Sequence, residues 1–300
     1  MASAAPASEL LSYKILNWII LVSCALIWGC SYYFIKKGLV GFEPMQVVGI
    51  RIAAAGTVLI PFLFLALKKI PFNKYPYVML CALFGNGIPI YLFPLAQTHI
   101  SSSVAGIINS LTPLCTYAIG ILFFSMENKR VKLAGVLAGL LGVFCLLLFK
   151  PQSEFKADIL FLAVALAAPV MYGINNNILK KHLTNLPSIP LTSLIYSMLL
   201  IPSIFIVFLT DVPTELQRDE AAQQAFPYVI LLGLFGTAVA ISLINILIRR
   251  THIMFATSVA YLIPVVAVLI GFFDQEKVGW NEFCGLALIL GGVLLINRAK

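Results

Sequence analysis

The chain is written nearly twice. Tyr75-Pro76-Tyr77-Val78-Met79-Leu80-Cys81-Ala82-Leu83-Phe84-Gly85 returns as Phe226-Pro227-Tyr228-Val229-Ile230-Leu231-Leu232-Gly233-Leu234-Phe235-Gly236, an offset of 151 residues. Pro113 and Gly120 return as Pro264 and Gly271, again at 151, and Thr98-His99-Ile100 returns as Thr251-His252-Ile253. Trp28-Gly29 followed by Ile35-Lys36-Lys37 returns as Tyr172-Gly173 followed by Leu179-Lys180-Lys181, at 144. A period of this length is too long for a solenoid unit. It marks one folded half, duplicated.

Composition decides the solvent. Hydrophobic residues make up 61% of the chain and charged residues 11%, against roughly 25% charged in an ordinary soluble domain. Apolar stretches near 20 residues recur, long enough at ~1.5 Å per residue to cross ~30 Å of hydrocarbon. Ten are expected, at 15–35, 45–67, 76–97, 102–125, 132–149, 157–179, 190–210, 227–248, 254–273 and 281–297. A soluble fold would need a very large core with almost no polar surface, and is excluded. The first span is full-length and lacks a cleavage site, so it reads as a retained helix. The six cysteines fall in apolar spans without metal-ligand spacing and read as small buried hydrophobes.

The net charge of +8 is a topology signal. With the N-terminus placed in the cytoplasm, 13 lysines and arginines flank spans on the inner side and 6 on the outer side, which sets both termini inside. No nucleic-acid partner is implied. The lipid bilayer is the expected neighbour, with residues 1–14 as a disordered cytoplasmic tail, 15–150 as the first five-helix repeat and 151–300 as the second. Five spans per copy force the second copy into the membrane from the opposite side. The fold class is therefore all-α and integral to the membrane, with two inverted repeats and a site between them. Asp211 to Gln224 is expected to be the longest polar loop.

Certain residues carry a resemblance. They are Trp28-Gly29 with Lys36-Lys37, Pro44 and Arg51 in the second span, Pro113 in the fourth, Glu127 after it, and the glycine-rich fifth span with Gly135, Gly139 and Gly142. Tyr172-Gly173, Pro264, Glu276, Gly285, Gly291 and Gly292 echo them. Over nearly its whole length the chain resembles the EamA-type branch of the drug/metabolite transporter superfamily. The resemblance implies a basket of ten helices around a central cavity. Spans one, three, four, six, eight and nine would line it, and spans five and ten would sit at the ends. It implies movement of small metabolites such as amino acids and nucleobase-like compounds, often outward. The halves differ chemically: Tyr172 replaces Trp28, and the region equivalent to Arg51 reads Ile195-Tyr196-Ser197.

Candidate substrate-binding residues follow from polar groups on shared helical faces. Trp28, Ser31 and Tyr32 fall on one face with Ile35; Tyr172, Asn175 and Asn176 repeat the pattern 144 residues on. Amides facing lipid would cost about 1–3 kcal/mol each, so the face points to a cavity or another helix. The alternative role is hydrogen-bonded glue across a packed seam. Asn86 and Tyr91 in span three, Asn109 in span four, Thr237 and Asn245 in span eight and Tyr261 in span nine complete the set. Pro89, Pro113 and Pro264 remove backbone donors and are the expected kinks or hinges. Arg51, two turns into span two, reads first as a residue that snorkels to the nearer interface. The alternative is a contact for a carboxylate or phosphate.

No Asp or Glu lies near mid-depth in a span, so facilitated movement or exchange is at least as well supported as proton coupling. No nucleotide-binding motif, metal-ligand cluster or cofactor site is expected. The leading expectation is a secondary transporter for a small organic solute, in the cytoplasmic membrane of a bacterium. The rivals are a multidrug exporter for apolar cations, which would recruit a membrane-depth carboxylate, and a membrane-embedded enzyme, which would need clustered acids or histidines. A monomer is a workable unit, and the sequence leaves the oligomeric state open.

Overall fold

A computed structural model describes residues 7–126, 130–147, 155–251, 259–276 and 279–298. Its helices, in chain order, are α1 (Ala7–Gly38), α2 (Pro44–Lys69), α3 (Phe72–Gln97), α4 (Ser102–Phe124) and α5 (Arg130–Leu147). The second set is α6 (Ile159–Leu183), α7 (Ser188–Leu209), α8 (Glu220–Ile244, helical on to Arg250), α9 (Val259–Phe273) and α10 (Trp280–Arg298). Seven of these contain described stretches long and apolar enough to span a membrane, and α5 and α9 contain shorter apolar stretches at Leu133–Gly142 and Leu262–Phe273. Large apolar side chains such as Ile19, Leu26, Phe64, Phe123, Leu141, Phe205 and Phe272 remain exposed on the outside of the bundle. Exposed apolar flanks with buried seams are the inside-out economy of a helix bundle in lipid.

The expected loop after α7 is partly helical. A short helix, Val212–Arg218, follows α7, and α8 begins at Glu220, before its apolar run. Asp219 supplies the reason: its side chain accepts from the Ala221 amide at 2.9 Å and caps the helix. At the other end of the chain, α1 begins at Ala7, inside the stretch expected to be a tail.

The helices pair across the duplication. α1 packs on α8 and α9, and its counterpart α6 packs on α3 and α4. α2 pairs with α7, and α5 with α10. The repeated glycines make the first two contacts possible. A Cβ on Gly29 would collide with Val266 of α9; one on Gly173 would collide with the backbone at Cys115 and Thr116 of α4. The C-terminal end of α1, the N-terminal end of α4 and the turn after α9 all meet at one face of the bundle. Thus α4 runs opposite to its counterpart α9, as two inverted five-helix repeats require.

Candidate functional site

The repeated Leu-Phe-Gly marks a defect in each half. α3 is interrupted by a π turn at Leu83–Gly87, and α8 by one at Leu234–Val239. Such turns carry one residue more than an α turn and disturb the regular carbonyl pairing. A side chain meets the disturbance at the same place in both. Asn86 Nδ2 donates to the Cys81 carbonyl at 3.2 Å, and Thr237 Oγ1 donates to the Leu232 carbonyl at 3.5 Å. The glycines have a steric reason too. A Cβ on Gly85 would lie 2.5 Å from Asn175 Cγ, and one on Gly236 would lie 2.8 Å from Ser31 Oγ. So α6 presses on one π turn and α1 on the other, through residues that correspond at 144.

Opposite each π turn stands a residue of the α2–α7 pair. Tyr196 Oη donates to Asn86 Oδ1 at 2.7 Å. Arg51 Nε donates to Thr237 Oγ1 at 3.1 Å. The snorkelling expectation for Arg51 therefore fails. Its guanidinium turns into the bundle because an acceptor waits there and the phenols of Tyr32, Tyr172 and Tyr196 lie within electrostatic reach. Arg51 and Tyr172 are half-buried and keep part of their surface accessible. Trp28 closes the same region, its Nε1 donating to the Gly236 carbonyl at 3.0 Å.

The expected site residues divide. Trp28, Ser31, Tyr32, Tyr172, Asn175, Asn86 and Thr237 gather around the two π turns. Asn175 Oδ1 is buried there and finds no partner among the described residues. Asn176 instead donates to Thr116 Oγ1 at 3.2 Å, and neighbouring Asn177 to the Thr116 and Gly173 carbonyls, each at 2.9 Å. That pair ties α6 to α4. Tyr91 is half-buried against the apolar cluster shared by α2, α3 and α7. The side chains of Asn245 and Tyr261 lie outside the described residues, as does His252.

The prolines behave differently from one another. Pro89 follows the π turn of α3. α4 breaks between Asn109 and Thr112, just before Pro113, and Thr112 Oγ1 donates to the Asn109 carbonyl at 2.7 Å in place of the missing amide. α9 carries Pro264 within a described helix that runs on unbroken. Sequence reasoning left two central residues out of the candidate site, Tyr196 and Arg51, the latter because it read first as a snorkelling side chain. Their signal was present as a mismatch between otherwise matching copies.

A family model matches residues 16–148 and again 159–298, one match for each half, and its description is EamA-like transporter family. The chain belongs to the EamA-like transporter family. An Escherichia coli K12 protein described as an uncharacterized inner membrane transporter, YedA, is 27% identical over 286 residues, covering 92% of this chain and 88% of that one. A probable amino-acid metabolite efflux pump of Salmonella typhimurium LT2 is 25% identical over 288 residues, covering 90% and 91%. A solved crystal structure matches with a TM-score of 0.59 at 16% identity, over 95% of this chain and 99% of that one, which speaks to the fold.

In this EamA-family chain one face of the bundle is latched. Lys36 Nζ lies 2.6 Å from Asp274 and 3.0 Å from Glu276, and Lys37 Nζ lies 3.0 Å from Asp274. Glu276 also accepts from the amides of Ser102 and Ser103 and from the Ser103 hydroxyl, capping α4. Burial would raise the Glu276 carboxyl, but Lys36 and Ser103 outweigh it and hold it below its ordinary range. Asp274 is likewise lowered, burial being outweighed by both lysines. A pocket of about 350 Å³ opens beside the latch, lined by Lys36, Gln97, Glu276 and Glu282 among others. Behind it Tyr32 is only 6% exposed, while its counterpart Asn176, toward the opposite face, is exposed.

Proposed function

We propose that the chain is a secondary transporter that carries a small organic metabolite, of amino-acid or nucleobase size, across the cytoplasmic membrane of a bacterium. The observation that carries this reading is the gathering of aromatic and polar groups at the two π turns, one in each duplicated half, where helices of the other half pack on them. Family membership supports transport as the class of activity. The relatives named as amino-acid metabolite efflux pumps support export as the direction. The basic residues favour cytoplasmic termini, which makes the latched face external.

Access alternates in this reading. The latch and buried Tyr32 close the external side, and exposed Asn176 marks the side left open. Because α1 packs on α8 and α9 while α6 packs on α3 and α4, the bodies that rock are mixed bundles, each with helices from both halves. Movement around a fixed central site then exposes it to one side at a time.

Purified protein in liposomes gives saturable uptake and counterflow of a solute from an amino-acid and nucleobase panel. The Tyr32→Ala/Asn175→Ala double variant, measured as correctly folded protein, loses that flux at least tenfold. Wild-type flux in the folded double variant overturns the site. No saturable flux of any class overturns the transport reading.

A further inference from the structure

We propose that Arg51 is the receptor for a carboxylate on the transported solute. The substrates are then small organic acids with one free carboxylate, amino acids included, and neither neutral nucleobases nor apolar cations. This rests on the transport reading and narrows it.

The argument begins with an unbalanced charge. Arg51 sits two turns inside α2 with a single hydrogen bond to the described residues, from Nε to Thr237. None of the described carboxylates lies within ion-pairing distance; the ion pairs among described residues all belong to the latch. Burying a guanidinium without a counter-ion is strongly unfavourable. Such a charge persists where something arrives to balance it.

The geometry shows where that would be. A guanidinium presents five donors in a planar fork. Thr237 takes the Nε–H and holds the fork by its stem. The two terminal nitrogens make no hydrogen bond to a described residue, yet they are absent from the buried atoms without partners. They therefore open onto accessible space. Two parallel N–H groups left accessible match the two oxygens of a carboxylate. Trp28 and Tyr172, both partly accessible, supply aromatic surface near them for the rest of the solute, with buried Tyr32 and Tyr196 packed behind.

Charge balance selects within the anions. The remaining lysines and arginines of the chain fall at or beyond the ends of the spans, so the interior holds one cation. One carboxylate neutralises it. A phosphate monoester, carrying about −1.5 to −2, would leave excess negative charge buried. An apolar cation would add a second positive charge with no carboxylate to pair Arg51, whereas an amino acid brings that carboxylate and leaves its ammonium to be met by neutral acceptors.

The experiment compares matched skeletons on the intact protein. Thermal-shift and counterflow measurements use leucine, phenylalanine, isovalerate and benzoate against leucinamide, phenethylamine, isovaleramide and benzamide, with adenine, uracil and tetraphenylphosphonium as the other classes. At least one carboxylate is expected to bind and exchange, and its amide or amine partner to bind about a hundredfold more weakly. This arm needs no variant. Arg51→Gln then abolishes the preference while Arg51→Lys keeps part of it, because lysine retains the charge and loses the fork. Flux of nucleobases or tetraphenylphosphonium without any carboxylate overturns the inference and leaves transport standing. Carboxylate binding unchanged in folded Arg51→Gln overturns the role of Arg51. No flux of any class overturns both readings.

Discussion

Two stations in this molecule have the same architecture and different chemistry. In one, α3 opens into a π turn, α6 presses on its glycine, and Tyr196 of α7 donates to Asn86. In the other, α8 opens into a π turn, α1 presses on its glycine, and Arg51 of α2 donates to Thr237. The backbone has kept its two-fold relation, including the extra residue in each turn. The groups offered to the interior have not. A neutral phenol–amide pair stands where the other half holds a cation on a hydroxyl. Symmetry serves the scaffold, and the side chains set on it are asymmetric.

The comparison breaks most visibly if the shared scaffold is tested first. Gly85→Leu and Gly236→Leu each drive a side chain into a helix that packs against the glycine. Overpacking of this kind costs about 1–3 kcal/mol or more, so both variants lose folded yield and melt well below wild type in detergent. Equal losses support the two-fold relation. A tolerated leucine at either site denies that its glycine is structural.

A smaller and unequal effect is expected at the partners. Tyr196→Phe leaves Asn86 Oδ1 without its donor, at about 1–2 kcal/mol, and lowers the melting temperature. Thr237→Val removes the anchor of the Arg51 fork. If Arg51 receives a carboxylate as proposed, this variant weakens that binding more than it lowers the melting temperature, because the terminal nitrogens of the guanidinium are accessible and make no hydrogen bond to a described residue. Equal effects on stability and binding in both variants would erase the asymmetry.

The smallest effect belongs to the latch. Exposed ion pairs contribute roughly 0.2–1 kcal/mol each, and Lys36 and Lys37 are both partly exposed. Asp274→Asn raises the reactivity of a cysteine placed at Tyr32 toward external thiol reagents, with little change in melting temperature. Both acidic partners have lowered pKa values. Their contribution to closure is therefore complete above the ordinary carboxylate range, near about 4, and is lost as pH falls through the lowered values. Reactivity corrected for the thiolate fraction of a freely accessible cysteine, flat from pH 8 to 5 and rising below that range, fits the latch. A rise centred near neutral pH assigns it to other groups.

Much of the fold was legible because repetition and hydropathy are backbone-scale signals. The proline of α4 gave its break, whereas the π turns that begin at the repeated Leu-Phe-Gly were not foreseen. The short helix at Val212–Arg218 was not legible, because a polar stretch hides a helix whose neighbour is capped by one aspartate. The site was half legible. Ser31 and Asn175 were found through their helical face, and the same face suggested Asn176, which binds Thr116 of α4. Arg51 was misjudged because snorkelling depends on which way a long side chain turns. Its acceptor, Thr237, lies 186 residues away.

That separation has a consequence for biosynthesis. At roughly 5–20 residues per second, the segment bearing Thr237 leaves the ribosome some 10–40 s after Arg51 does. Over that interval α1 and α2 lack their α8 and α9 neighbours, and a bare guanidinium must be kept company by water, lipid headgroups or the insertion machinery. The exchanged pairing of helices thus asks the cell to hold an unfinished first copy until the second arrives.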